Sequence, residues 1–276
     1  MWANKIYIHI YVFVLYFLPK LIINIYMCEK LLRVYHKQSC CPCVNTIGEE
    51  KKMSISFISP ANICLYGATQ SGKTSFVLRL IEHADVMFTK NPRRILYCYG
   101  TWQDAYDTLV KLDNITMHEG VPSRATIEEF SYDKAPTLLI MDDLLADIVN
   151  NKEVHHYVTV MSHHNNMTII MLMQSIFPKG NYARTISLNC HYMVLFRNRR
   201  DGNQIKVLGS QLMPSRVTFF MDSYKKATSK EWGYLLIDIH PSSDPAYELR
   251  TRIFPDDEPL IVYVDPTQAA VHAITP

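Results

Sequence analysis

From residue 53 onward, short runs that are apolar end to end alternate with stretches whose apolar positions recur at three and four residues. Asn62–Tyr66 reads as a buried strand running into a glycine turn, and Thr74–His83 as a helix with Phe76, Val77, Leu80 and Ile81 on one face. Arg94–Tyr99 is a second strand, ended by Gly100; Gln103–Leu112 follows as a helix and Asn114–His118 as a short strand. Thr137–Met141, Thr168–Met173 and Tyr192–Phe196 are further buried runs, with a helix over Lys152–Ser162. Tyr234–Ile239 and Leu249–Phe254 add two strand-like runs with Pro241 between them. Strands without a polar face belong to a sheet covered on both sides. The pattern therefore predicts an α/β fold with a mainly parallel central sheet flanked by helices.

Residues 1–52 do not share this pattern. Ile6 to Leu18 is apolar apart from His9 and several tyrosines, Pro19-Lys20 interrupts, and Leu21 to Met27 resumes. A spanning helix needs about 20 apolar residues, which a Pro-Lys pair near the middle fits poorly. A signal peptide would bring a small-residue cleavage site, and none follows. The bias toward Ile, Tyr, Asn, Lys, Phe and Leu is that of translated AT-rich noncoding DNA, and Met53 opens a clean start. The leader is read as a gene-model extension in preference to a membrane or signal segment. Residues 54–255 are expected to form one domain and 256–276 a tail.

The 276 residues are 48% apolar and 20% charged, which excludes wholesale disorder and fibrous repeats. A net charge of +2 means that any nucleic-acid contact must come from local patches. Of the seven cysteines, Cys28, Cys40, Cys41 and Cys43 crowd the leader and the rest lie in apolar contexts. A chain this long needs no disulfide framework, so a reducing, intracellular setting is expected. Cys40-Cys41-Pro42-Cys43 lacks a second Cys/His pair at zinc-finger spacing, and His155, His156, His163 and His164 lack a completing carboxylate or thiolate.

The strongest chemical signal is Gly67-Ala68-Thr69-Gln70-Ser71-Gly72-Lys73-Thr74, which has the full Walker A spacing between a strand and a helix, with Ser75 next. Its glycines let successive backbone N–H groups face one anion at a helix start whose dipole favours negative charge. Lys73 would reach the β- and γ-phosphates of ATP, and the Thr74 hydroxyl would bind Mg²⁺. Leu138-Leu139-Ile140-Met141-Asp142-Asp143 supplies the matching Walker B strand. Asp142 would hold Mg²⁺ through water, and Asp143 would polarise the attacking water. A solvated turn or helix cap is the bland alternative. The 68 residues from Thr74 to Asp142 argue against it, because they accommodate a strand–helix–strand excursion. Aspartate at the second acidic position is shorter than the glutamate many such ATPases use. Gln174, ending the run Met171-Leu172-Met173, is placed to read the γ-phosphate and couple its loss to motion. Together these features predict a P-loop NTPase of RecA/ASCE-like type.

An arginine delivered across a subunit interface accelerates hydrolysis by ~10³–10⁵. Arg184 is the first candidate for that finger and Arg197 the second. Arg197, Arg199, Arg200 and Lys206 form a basic cluster suited to nucleic-acid phosphates, with Lys225, Lys226 and Lys230 a weaker one; solvated faces are the competing reading of both.

Gly67–Thr74, Tyr97-Cys98-Tyr99-Gly100, Met141-Asp142-Asp143, His163-His164-Asn165, Gln174, Arg184–Asn189 and Tyr192–Arg200 occur in the same order as in the DNA-packaging ATPases of the HerA/FtsK superfamily. The chain resembles in particular the poxvirus-type enzymes of Maverick/Polinton elements and adintoviruses, over roughly residues 54–255. The resemblance implies an ATP-driven motor, a homo-oligomeric ring (pentamer or hexamer) that threads double-stranded DNA into a capsid. Its partners would be the DNA and a capsid or portal-like vertex protein, in the host nucleus or the virion, without a membrane. It implies the same roles for Lys73, Thr74, Asp142, Asp143 and Gln174, and leaves the finger between Arg184 and Arg197. A GTPase would need an Asn-Lys-x-Asp element and a nucleotide kinase an arginine-rich lid; neither is evident. A nucleotide- or DNA-binding protein without turnover remains the non-enzymatic alternative.

Overall fold

Every side chain of the strands β1 (Asn62–Tyr66), β4 (Thr137–Asp142), β5 (Met167–Met173) and β6 (Tyr192–Phe196) is buried. With β2 (Arg94–Tyr99), β3 (Ile115–Glu119), β7 (Tyr234–Asp238), β8 (Leu249–Thr251) and β9 (Ile261–Tyr263) they form a nine-stranded sheet ordered β3-β2-β4-β5-β1-β6-β7-β8-β9. In this computed structural model the described residues are 56–200, 202–257 and 259–265. The expectations for residues 1–52 and for the end of the tail lie outside them. The sheet itself continues past residue 255, through β9.

The six strands from β3 to β6 pair in parallel, and β6-β7-β8-β9 pair antiparallel. Strand β5 lies between β1 and β4, with Leu65 opposite Leu172 and Ile140 opposite Ile170. Alternation divides the strands between two cores. Cys64, Tyr66, Leu139 and Met141 face one, and Ile63, Leu65, Tyr97 and Ile140 face the other. Helix α1 (Lys73–Glu82) covers the second core with Phe76, Val77, Leu80 and Ile81. Helices α2 (Arg124–Phe130), α3 (Leu145–Asn150), α4 (Lys152–His156), α5 (Ala183–Leu188), α6 (Gly202–Leu212) and α7 (Val217–Ala227) all contribute to the first. Each fully buried leucine or isoleucine contributes about 1.5–3 kcal/mol, so the two-sided burial is the main stabilising term. This is a mixed α/β fold with a mostly parallel sheet, as the pattern predicts.

Several elements depart from the sequence reading. Asp104–Lys111 is a 3₁₀ run in place of an α-helix, its buried residues Tyr106 and Leu109 spaced by three. Helix α4 continues through a π-helical turn at Tyr157–Met161. Strand β8 stops at Thr251 because Arg252 adopts φ 56°. Cys64 on β1 is joined to Cys190 in a disulfide, although a chain of this length needs no disulfide framework. No helix among the described residues is long and apolar enough to cross a membrane.

Candidate functional site

Strand β1 delivers the chain into a turn that closes back on the sheet, with Gly67 N–H donating to the carbonyl of Met173 at the end of β5 (3.1 Å). A Cβ on Gly67 would stand 2.8 Å from Phe196 Cβ, so the loop and β6 meet backbone to side chain. Gln70 (φ 63°) and Gly72 (φ 98°) are both left-handed, which curls the loop into an anion-binding concavity. Gly72 caps α1 and no side chain satisfies the first N–H groups of that helix, so they are left for a ligand. The Ser71 hydroxyl is buried with no partner among the described residues.

An open cleft of ≈ 460 Å³ lies over this loop, and Lys73, Thr74, Ser75, Asp142, Asp143 and Gln174 are among its lining residues. Lys73 Nζ donates to the loop's own carbonyls, Gly67 O (2.7 Å) and Ala68 O (2.8 Å). Burial lowers its pKa from the ordinary lysine value, and Asp142 and Asp143 oppose that shift. Asp142, only 4% exposed at the end of β4, is the hub of the site. Its Oδ2 accepts from Thr74 Oγ1 (3.0 Å), Tyr97 Oη (2.9 Å) and Tyr106 Oη (2.9 Å). Both tyrosines have their pKa raised, by burial first and by the Asp142 charge second, so they remain donors at any physiological pH. Asp143 leaves the strand at φ 57° and points its exposed carboxylate to Gln174 Nε2, a long contact of 3.5 Å. Gly100 makes that turn possible: its N–H donates to Asp142 O (3.0 Å), and a Cβ there would sit 2.4 Å from Asp143 O.

The sequence-predicted residues of the loop and of the two strand ends thus converge on one cleft. Tyr97, Tyr106 and Trp232 also belong to it; the sequence reading has Tyr97 only within the motif Tyr97-Cys98-Tyr99-Gly100, without a role, and does not single out the other two. Tyr97 left a signal, since a tyrosine in a buried strand needs a partner for its hydroxyl; Tyr106 lies in the 3₁₀ run Asp104–Lys111 and Trp232 in the turn before β7, and the pattern does not give where either packs. The two arginines stand apart. Arg184 lines a separate hollow of ≈ 500 Å³ beside Phe177, Pro178 and Leu188. Arg197 follows β6, where Leu195 is opposite Tyr66, so it leaves the sheet next to the loop without lining the cleft. Neither makes an ion pair among the described residues.

The donor set fits a small hard cation. A threonine hydroxyl and a carboxylate are oxygen ligands of the kind Mg²⁺ takes, together with water and substrate phosphates. The loop, the flanking helix and a strand between the two motif strands define the P-loop NTPase class of fold.

No protein-family model matches the chain, and no curated protein matches it. Among solved structures it is similar to the genome packaging NTPase B204 from Sulfolobus turreted icosahedral virus 2 in complex with ATP-gammaS, at 12% identity and a TM-score of 0.43 over 65% of this chain and 92% of that one. It is similar to B204, the DNA-packaging ATPase from Sulfolobus Turreted Icosahedral Virus, at 14% identity and a TM-score of 0.43 over 66% and 94%. A third is EssC (ATPases 2 and 3) from Geobacillus thermodenitrificans, at 12% identity and a TM-score of 0.36 over 49% and 32%.

Proposed function

We propose that the chain is an ATPase that couples hydrolysis to translocation of double-stranded DNA during genome packaging. The observation that carries the hydrolytic part is the bond from Thr74 to Asp142 (3.0 Å), which joins the two motif strands at the mouth of an anion-binding loop. The packaging part is supported by the order of motifs it shares with the HerA/FtsK packaging enzymes, including those of Maverick/Polinton elements and adintoviruses.

In this reading the loop N–H groups from Ala68 to Ser75 and the Lys73 ammonium hold the triphosphate. Lys73 exchanges its two carbonyl acceptors for phosphate oxygens. Thr74 and Asp142 would hold Mg²⁺, which would supply charge neutralisation for the triphosphate. Asp143 orients and deprotonates the attacking water, and Gln174, already against Asp143, senses the departing phosphate. The finger comes from a neighbouring subunit of a ring, pentameric or hexameric, through Arg184 first and Arg197 second. The DNA, a capsid or portal-like vertex protein, and the host nucleus or virion complete the proposal.

A steady-state ATPase assay with and without duplex DNA tests it. Turnover stimulated by duplex and abolished in Lys73→Ala is expected. Phosphorylation of a small acceptor, or nucleotide binding without turnover, contradicts it.

A further inference from the structure

Beside the phosphate loop, on the side away from Asp142, lies a second recess of ≈ 310 Å³ whose lining includes Gly72, Ser75, Phe76, Arg79, Trp232 and Phe254. Gly72, Ser75 and Trp232 line both this recess and the triphosphate cleft, so the two are continuous. Its floor is a cluster of edge-to-face rings, with Phe76 centred 4.9 Å from Tyr234 and 5.0 Å from Phe254. Trp232 is its wall. The indole is 65% exposed, and its Cδ1 would be 3.2 Å from a Cβ on Gly72. It stands on a backbone at φ 54°, a conformation a bulky residue adopts only under constraint. The indole is thus largely exposed yet held against the phosphate loop.

The sheet order gives the cleft a direction. Asp142, Asp143 and Gln174 come from β4 and β5, on one side of β1; Phe196, Trp232 and Tyr234 come from β6 and the start of β7, on the other. A triphosphate whose last phosphate meets Asp143 and Gln174 has its opposite end at the recess. We infer that Trp232 and this aromatic recess form the nucleobase subsite, and that it recognises the base by stacking and not by its edge. This rests on the triphosphate reading above.

The edge-reading groups are already committed. The Arg79 guanidinium is held by Asp256 (2.7 Å) and Asp257 (3.0 Å) and lies 4.1 Å over the Phe254 ring. The Tyr234 hydroxyl accepts from Ile253 N–H (3.0 Å). Among the polar groups lining the recess, that leaves the Ser75 hydroxyl and the Trp232 indole N–H, and the latter lies in the plane of the stacking ring, not across its face. Stacking grades bases by ring area, so the ligand class is a nucleoside triphosphate, purines ahead of pyrimidines, with little distinction between adenine and guanine.

Titration calorimetry of the full chain with Mg²⁺ and, in turn, ATPγS, GTPγS and inorganic tripolyphosphate tests the inference. The wild type should bind the two nucleotides within about threefold of each other and both more tightly than tripolyphosphate. Trp232→Ala should weaken both nucleotides ~10-fold and leave tripolyphosphate unchanged, with Trp232→Phe restoring most of the loss; unchanged thermal melting shows that the variants fold. Unaltered nucleotide affinity in Trp232→Ala, an equal loss for tripolyphosphate, or a preference above ~30-fold for one purine overturns the inference alone. A wild type that binds none of the three overturns the triphosphate reading and takes this inference with it.

Discussion

Three hydroxyl groups donate to a single oxygen of Asp142, and this concentration of donors sets what each residue in the cleft contributes. Hydrogen bonds to a buried charged group are worth about 1.5–3 kcal/mol. Tyr97 and Tyr106 therefore fix the carboxylate in one orientation, while Thr74, the third donor, is the one expected to turn to a metal. Tyr106→Phe should raise the Mg²⁺ concentration for half-maximal turnover by ~10-fold, as loss of a partner behind a metal ligand does; an unchanged Mg²⁺ titration contradicts this. Asp142→Asn keeps an oxygen acceptor for the tyrosines and removes the charge, so turnover should fall at least ~100-fold with the fold intact by circular dichroism. At this scale the sequence was informative where main-chain geometry leaves a fixed signature, as in Gly67–Thr74. The Tyr106–Asp142 contact left none, because it depends on how the 3₁₀ run after β2 packs over the end of β4.

Strands were more legible than helices. Strands β1, β4, β5 and β6 are apolar throughout because both faces are covered, which a single pass along the chain detects. Helices α6 and α7 escaped it. The first carries Gly202, Gly209 and Ser210, and the second opens with Val217, Thr218, Phe219 and Phe220, all poor helix formers or strand-prone residues; burial of Ile205, Leu208, Phe220 and Tyr224 overrides those preferences. The junction of β1 and β6 makes a prediction of its own. Asn62 N–H, at the start of β1, donates to His191 Nδ1 (3.0 Å), just ahead of β6. Burial pushes that imidazole down to about 4 from 6.5, with His240 and His163 adding repulsion. Above pH 6.5 neither state binds the proton; between 6.5 and 4 the unfolded chain binds it and the native one does not, so stability falls as the pH falls and levels off below 4. Denaturant unfolding should show that loss, and His191→Gln should reduce its slope in this window. An equal slope in the variant contradicts the assignment.

For the whole molecule, a net charge of +2 gives no global attraction to DNA, so contact falls to local groups. Arg197, Arg199, Arg200 and Lys206 are exposed, and in the proposed motor they would provide that contact. Arg184 lines a hollow other than the cleft of its own chain, which is compatible with the proposed action on a neighbouring subunit. Arg184→Ala should abolish turnover while sparing nucleotide affinity and assembly, and mixing it with Lys73→Ala subunits should restore measurable turnover, since each supplies what the other lacks. No recovery on mixing, with Arg197→Ala behaving as described instead, would move the finger to Arg197. The expectations about turnover all need the cleft to hold a magnesium nucleoside triphosphate. Calorimetric titration of Mg²⁺ and ATPγS into the folded full chain measures that directly. One saturable, Mg²⁺-dependent site per chain, weakened at least ~10-fold in Lys73→Ala, is the predicted result; no heat from the wild type, or equal affinity in Lys73→Ala, contradicts it.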